Sequence, residues 1–284
     1  MNRRGSKHAG AALLGVGCAL AHLPARGAVC NDRALDQGAP ARIGPGPAGF
    51  GSLPEACAGT EVSLQGDAAL LVAADDFYGS VSASVALRAR YAVSQHFWLS
   101  LWAPGLDYRY VANATVTADS LDLGASALSA HVALPIGRRA QLAPYLRVLV
   151  PTETVFVNGT RYGVEHGFAL TYRATPELEL VGGATFPALF TDTAGHVQAR
   201  YEPGLGAEAV YTPWRFVSLV GGATARLRFG DDRAFESFDP TLAFRFFALR
   251  GLRIELAARA PLFGADRTDA AVALGMGWIF GRLP

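Results

Sequence analysis

Strict alternation of apolar and polar residues limits the possible folds of this chain more than any other feature. In the segment SVSASVALRARYAV, residues 80–93, apolar side chains occupy seven successive odd positions, and serine and arginine fill most positions between them. Successive side chains of a β-strand point to opposite faces, so the pattern predicts a strand with one apolar and one polar face. A soluble sandwich and a membrane barrel both show such alternation, so further evidence is needed.

The same period of two recurs along the chain. In the segments near 141–151, 163–174, 238–249 and 252–261, each charged residue falls between the large apolar ones. Counting back from Phe280 predicts twelve strands, near residues 61–74, 80–93, 97–111, 121–135, 140–151, 162–174, 177–190, 196–212, 216–229, 238–249, 252–261 and 270–280.

The connections between these strands separate into two classes. Short ones (SQH, IGRR, TP, PWR and RG) fall on the side of both termini, and longer ones (NATVTADS, TETVFVNGTR and GDDRAFES) fall on the other. Outer-membrane barrels have short periplasmic turns and long outer loops. After the first 28 residues the chain has no apolar run of 18 residues, which excludes helical membrane spans. The sequence therefore predicts an all-β fold, a membrane-spanning antiparallel up-and-down β-barrel of about twelve strands, over residues 60–284.

Composition and aromatic positions agree with this fold. Charged residues make up 17% of the chain, below the roughly 25% of soluble domains. Transmembrane barrels carry aromatic girdles at the two membrane interfaces. The aromatic residues predicted to form the girdles lie close to strand ends, and they are Phe97, Trp98, Trp102, Trp214, Phe216, Trp278 and Phe280.

Two segments resemble known outer-membrane proteins. The strand AVALGMGWIF, residues 271–280, has large apolar residues at every second position before a terminal aromatic, and it resembles the C-terminal recognition strand of outer-membrane barrels. Family members usually stop at that aromatic, whereas GRLP follows here. The pair SLDLGASALSAHVALP and LAPYLRVLVPT resembles strands of the outer-membrane transporters associated with phenol-degradation pathways. These resemblances imply a location in the bacterial outer membrane, contact with its lipid, and recognition by the barrel assembly machinery.

The N-terminal region is predicted to lie outside the barrel strands. Residues 1–28 have a basic start, an apolar stretch and small residues before a cleavage position, as in an export signal. A lipoprotein site at Cys18 is a weaker alternative, because Gly15 stands where a large aliphatic is usual. Residues 29–59 are rich in Gly and Pro, and Cys30 and Cys57 are predicted to form a disulfide in the oxidising periplasm. This segment is either a periplasmic tail or a partial plug of the lumen.

Function is expected on the face opposite the apolar one, since it lines the lumen. Ten arginines against six carboxylates, Asp67, Glu165, Glu179, Glu208, Asp239 and Glu255, indicate a polar and mildly anion-favouring interior. The alternative is that these groups form arginine–carboxylate ladders that join neighbouring strands. On the first reading Arg253→Gln mainly alters ion preference. The predicted pore-lining residues are Arg88, Arg90, Arg109, Arg147, Arg173, Arg226, Arg228, Arg245, Arg253, Glu255 and Arg259.

The predicted function is the passage of small solutes through the lumen, without a cofactor. A lipid-modifying enzyme is the second hypothesis, in which His166 on the lipid-facing phase near the outer rim would act with Ser129 or Thr160, although the spacing matches no known family. A structural or adhesive barrel acting through its outer loops is the third. The formal net charge of +1 indicates no affinity for nucleic acid, and the scattered histidines form no legible metal site.

Overall fold

The computed structural model describes part of the chain. The signal peptide predicted over 1–28, the segment 29–59 with its predicted Cys30–Cys57 disulfide, and Phe280 lie outside the described residues. The described residues are 60–73, 78–103, 106–112, 117–123, 126–150, 159–193, 195–214, 216–229, 235–249, 252–260 and 270–279.

The described residues form sixteen strand segments. In chain order these are Glu61–Ala73 (β1), Tyr78–Ser94 (β2), Phe97–Trp102 (β3), Leu106–Ala112 (β4), Thr117–Leu123 (β5), Ser126–Val132 (β6), Leu134–Ile136 (β7), Ala140–Val150 (β8), Gly159–Arg173 (β9), Leu178–Thr193 (β10), His196–Tyr201 (β11), Gly204–Trp214 (β12), Val217–Arg228 (β13), Phe235–Leu249 (β14), Leu252–Arg259 (β15) and Ala270–Ile279 (β16). Within this part of the chain no helix is long and apolar enough to cross a membrane.

The segments combine into twelve barrel strands that close on themselves. β3 and β4 both pair with β2, and β10 pairs with both β11 and β12, so several long strands are divided by short irregularities. Each strand pairs antiparallel with its neighbours, and β1 pairs with β2 on one side and with β16 on the other. This closure confirms the predicted barrel and excludes a sandwich, in which two sheets would keep open edges.

The alternation of the sequence becomes the two faces of the barrel wall. On β2, Leu87 and Tyr91 are exposed on the outside, whereas Arg88 and Arg90 between them are buried on the inside. On β15, Leu256 is 57% exposed and its neighbour Glu255 is 1% exposed. A wall with an apolar outer surface and a polar inner surface is the arrangement that suits hydrocarbon outside and a lumen inside.

The turns mostly follow the predicted asymmetry, with one exception. The connections 95–96 and 137–139 are short and lie at the end of the barrel that holds Glu61 and Ile279, and the second contains Gly137 at a φ of 79°, a conformation that favours glycine. At the opposite end, β10 and β11 are joined by only residues 194–195. All six residues of β11 are exposed, and β9 pairs with β10 as far as Thr193, so this hairpin and β9 extend together at that end.

The facing assignment predicts a stability difference at position 256. Leu256→Arg places a guanidinium on the outer surface in the middle of β15, and we expect it to lower the free energy of unfolding by about 2–4 kcal/mol. Leu256→Val keeps the position apolar and should change that energy by less than about 1 kcal/mol. Urea unfolding from lipid vesicles measures both. Equal tolerance of the two changes would mean that this face does not contact hydrocarbon.

Candidate functional site

Charged side chains on the inner face of the barrel form the candidate site. Arg173 is half-buried, and the side chains of Arg109 and Arg228 are not among the described ones. The other predicted pore-lining residues are buried on the inward phase of their strands, and they are Arg88, Arg90, Arg147, Arg226, Arg245, Arg253, Glu255 and Arg259. That they line an open pore stays a prediction.

Buried positive and negative charges are equal in number among the described side chains. Glu61 and Glu202 are buried carboxylates that the sequence analysis missed. Glu61 shares the phase of Asp67 on β1, so the period of two was a sufficient signal for it. Seven arginines (Arg88, Arg90, Arg147, Arg226, Arg245, Arg253, Arg259) accompany seven carboxylates (Glu61, Glu165, Glu179, Glu202, Glu208, Asp239, Glu255). Because the side chains of Asp67, Arg109 and Arg228 are not among the described ones, the expected excess of arginine over the whole interior stays a prediction.

Most of these charges form ladders between neighbouring strands. Arg245 and Glu255 stand directly opposite each other on β14 and β15, with Nε and Oε2 2.7 Å apart. Arg226 on β13 donates to Asp239 on β14, and Arg259 Nη1 lies 3.9 Å from the same carboxylate. Buried charges are tolerated when each has a partner in good geometry. The alternative that arginine–carboxylate ladders join the strands therefore describes these pairs.

One ion cluster connects β1 and β2 with β15 across the intervening strand β16. It therefore joins the beginning and the end of the barrel sequence. Glu61, the first residue of β1, accepts a hydrogen bond of 2.8 Å from Nη2 of Arg90 on β2. It also accepts hydrogen bonds from both terminal nitrogens of Arg253 on β15. β16 lies between β15 and β1, and the guanidinium passes over it at Gly277, which faces Arg253 on one side and Ser63 on the other.

The bare inner face of β16 has a structural reason. A Cβ atom built on Gly277 would lie 2.9 Å from Cβ of Ser63 and 3.2 Å from Nη2 of Arg253, and closer still to Oε1 of Glu61. Any side chain here would thus occupy the space through which Arg253 reaches Glu61. Gly277 therefore leaves the space that the ion cluster needs, and the large residues at alternate positions of this strand face outward.

A second cluster lies on β6, β8 and β9. Glu165 Oε1 accepts a hydrogen bond of 2.7 Å from the hydroxyl of Tyr145 and lies 3.0 Å from Nη1 of Arg147. The Tyr145 ring stacks on His131, whose Nε2 is 2.9 Å from the hydroxyl oxygen of Ser129. All five side chains are buried. The cluster has charge-assisted and neutral hydrogen bonds together, which fixes its geometry.

Two of the four tryptophans do not lie on the face where the sequence analysis placed them. Trp98 is completely buried and stacks on His131, with ring centroids 5.0 Å apart, and Trp102 lies under the Arg88 guanidinium at 5.2 Å. Both rings therefore face inward, and their assignment to a lipid-facing girdle is wrong. Trp214 and Trp278 are exposed on the outside near strand ends, as a girdle requires.

His166 and Ser129, one of the pairs considered for catalysis, do not meet. His166 is exposed on the outer face in the middle of β9 and stacks on Phe186, whereas Ser129 is buried on the inner face. The sheet separates them, so the suggested pair is wrong, as is the location of His166 near the rim. In the described part of the chain no three His, Cys, Asp or Glu side chains are grouped so as to hold a metal ion.

Comparison with known proteins agrees with the geometry. No family model matches the sequence, and no curated protein matches it. An outer membrane channel from Pseudomonas putida F1 superposes with a TM-score of 0.62 at 13% identity, over 83% of this chain and 99% of that one. The β domain of the Bordetella autotransporter Brka gives 0.58 at 9% identity, over 78% and 100%.

A third structure shares the same architecture. The translocator domain of autotransporter NalP from Neisseria meningitidis superposes with a TM-score of 0.54 at 12% identity, over 78% of this chain and 88% of that one. At these identities the similarity concerns the fold. The chain thus has the fold of bacterial outer-membrane β-barrels, and its chemistry has to be argued from its own inner face.

Proposed function

We propose that this protein is a channel of the bacterial outer membrane that passes small solutes through its lumen. The observation that carries the proposal is the distribution of side chains on a closed wall, with apolar residues outside and ion pairs, serines and threonines inside. An inert structural barrel has no need of so many buried charges, because replacing paired charges by apolar residues is often neutral or stabilising. A polar inner surface is required when water and solutes have to cross.

The size of the barrel and its inner side chains support a narrow passage. Barrel diameter grows roughly linearly with strand number, and eight strands leave space only for side chains, whereas sixteen leave an aqueous channel. Twelve strands lie between these limits. The inward arginines and the ring of Tyr145 reduce the space further, since long side chains project from several neighbouring strands.

Single-channel recording in planar bilayers tests the proposal. We expect stepwise increments in potassium chloride that are smaller than those of a sixteen-stranded porin in the same salt, because the diameter is about three-quarters as large. Liposome swelling with neutral sugars of increasing mass then gives the size limit. A folded barrel that gives neither current steps nor swelling, under conditions in which the reference porin gives both, would contradict a channel function.

The assembly machinery and the lipid are part of the same proposal. The C-terminal strand β16 presents Val272, Leu274, Met276 and Trp278 on its outer face, which is the pattern expected of a recognition strand. Insertion from the periplasmic side would leave both ends of the barrel sequence there, since Glu61 and Ile279 are opposite each other in the pairing of β1 with β16. The fold supports this orientation.

A further inference from the structure

One polar side chain lies on the outer surface of the barrel wall, where its neighbours are apolar. On β9, Tyr162 and Tyr172 are both exposed on the outer face. The strand between them covers about 33 Å, or about 25 Å of height at the usual tilt of about 40°, so the two rings mark the two membrane interfaces. His166 lies between them on the same phase and is exposed. Apart from tyrosine and tryptophan, it is the one polar side chain that the described strands place outward at these depths.

A histidine in this position needs a hydrogen-bonding partner. Its neutral ring has one N–H donor and one nitrogen acceptor, and hydrocarbon offers a partner to neither. In the described part of the chain His166 stacks on Phe186, with ring centroids 5.2 Å apart, and has no hydrogen bond. Ionisable side chains within a membrane are rare and face other protein or water instead of lipid. We therefore expect a second protein surface to cover this part of the wall.

The wall around His166 has a half with large side chains and a half with small ones. On one side, β8 and β6 present Leu146 and Leu128, which are both exposed. On the other side, β10 and β12 present a block of four small outward residues, Gly182, Ala184, Ala207 and Ala209. Leu180 and Leu205 border this block. Small residues let two membrane-embedded surfaces approach closely.

This arrangement is self-complementary. A two-fold axis through His166 places the large half of one copy against the small half of the other, and the reverse contact forms at the same time. A closed dimer requires such a surface, in which the same patch is used by both subunits. The two halves lie on the strands next to β9 on either side, so β9 is at the centre.

The area is sufficient for a dimer. The five successive strands β6, β8, β9, β10 and β12 cover about 24 Å of wall at about 4.8 Å per strand, and the apolar band is about 25 Å tall. Each copy thus contributes about 600 Å², or about 1,200 Å² for the pair, which reaches the lower limit of a specific interface.

From these observations we infer that two copies of this chain pair in the membrane through the wall centred on β9, with their His166 rings hydrogen-bonded to each other. One ring donates and the other accepts, so each copy supplies the polar group that the other needs. This reciprocity favours a second copy over a different partner. The inference concerns the outer face and goes beyond the proposed passage of solutes, which takes place inside the barrel.

Oxidative cross-linking in outer membranes tests the pairing. The background is a variant without native cysteines, in which serine replaces Cys18, Cys30 and Cys57. His166→Cys in this background should form a disulfide-linked dimer with copper phenanthroline, because residues on the axis face their own copies. Leu256→Cys is the matched control, since it is also exposed on the outer face but lies on β15, five strands away. Equal yields at both positions, no dimer at His166→Cys, or an adduct with a different protein would overturn the inference.

Sedimentation in dodecyl maltoside measures the contribution of the histidine and of the small half. The wild-type protein should sediment as a dimer, and His166→Leu should raise the dissociation constant about tenfold, the effect of one hydrogen bond lost in an apolar environment. Ala207→Phe should also favour the monomer, whereas Ala258→Phe, an outward alanine on β15, should not. A wild-type monomer at all concentrations, or a dimer that neither change weakens, would contradict the inference. Single-channel recording of the monomeric variants is a separate readout, so loss of pairing does not count against the channel.

Discussion

Replacing Gly277 with leucine should prevent stable closure of the barrel, with a loss of about 5 kcal/mol or more. The inward side chain would fill the space that the Arg253 guanidinium crosses on its way to Glu61. Two buried charges would then be separated in the position where the first and last barrel strands meet. Urea unfolding from vesicles, and migration on gels with and without heating, measure the loss of the closed barrel.

The control for this change is another glycine of the same sheet. A Cβ atom on Gly221 of β13 would have no heavy atom within 4 Å, and the residue is exposed on the outer face. Gly221→Leu should therefore be tolerated within about 0.5 kcal/mol. Similar losses at both glycines would show that strand propensity, and not the space over β16, determines the result.

The period of two in the sequence was enough to predict the strands and their faces, because it follows directly from strand geometry. Tyr91 and Leu256 face outward and Arg90 and Glu255 inward, as the alternation indicated. Trp98 and Trp102 were misassigned for a related reason. They were placed by their nearness to strand ends, whereas their phase, shared with Ser100, already indicated the inner face.

The partners of the charges could not be read from the sequence. Arg253 and Glu61 are separated by 192 positions and meet only because the barrel closes and Gly277 leaves a passage between them. The full set of buried charges could not be predicted either, since Glu61 and Glu202 are buried and were not among the predicted inward carboxylates. Pairing also changes the expected effect of Arg253→Gln, since a buried and paired guanidinium contributes to stability as well as to ion preference.

Glu61→Gln should be strongly destabilising, because this carboxylate accepts hydrogen bonds from two buried arginines. The substitution takes from Arg90 and Arg253 the carboxylate that they share, and we expect the free energy of unfolding to fall by about 3–5 kcal/mol. Glutamine preserves the shape of the side chain, so the loss reports the charge. Equilibrium unfolding in lipid vesicles gives the value.

Loss of Glu61 and loss of Arg253 should have different effects on stability. Arg253→Met removes one arginine, but Glu61 keeps Arg90 as a partner, so its cost should be clearly smaller than that of Glu61→Gln. In the double variant Glu61→Gln/Arg253→Met only Arg90 loses its bond to the Glu61 carboxylate, and part of the loss should be recovered. A double-mutant cycle with no coupling between positions 61 and 253 would mean that the contact over Gly277 contributes nothing to closure. Coupling of the expected sign would show that one glycine on the last strand lets the barrel hold its ends together through charge.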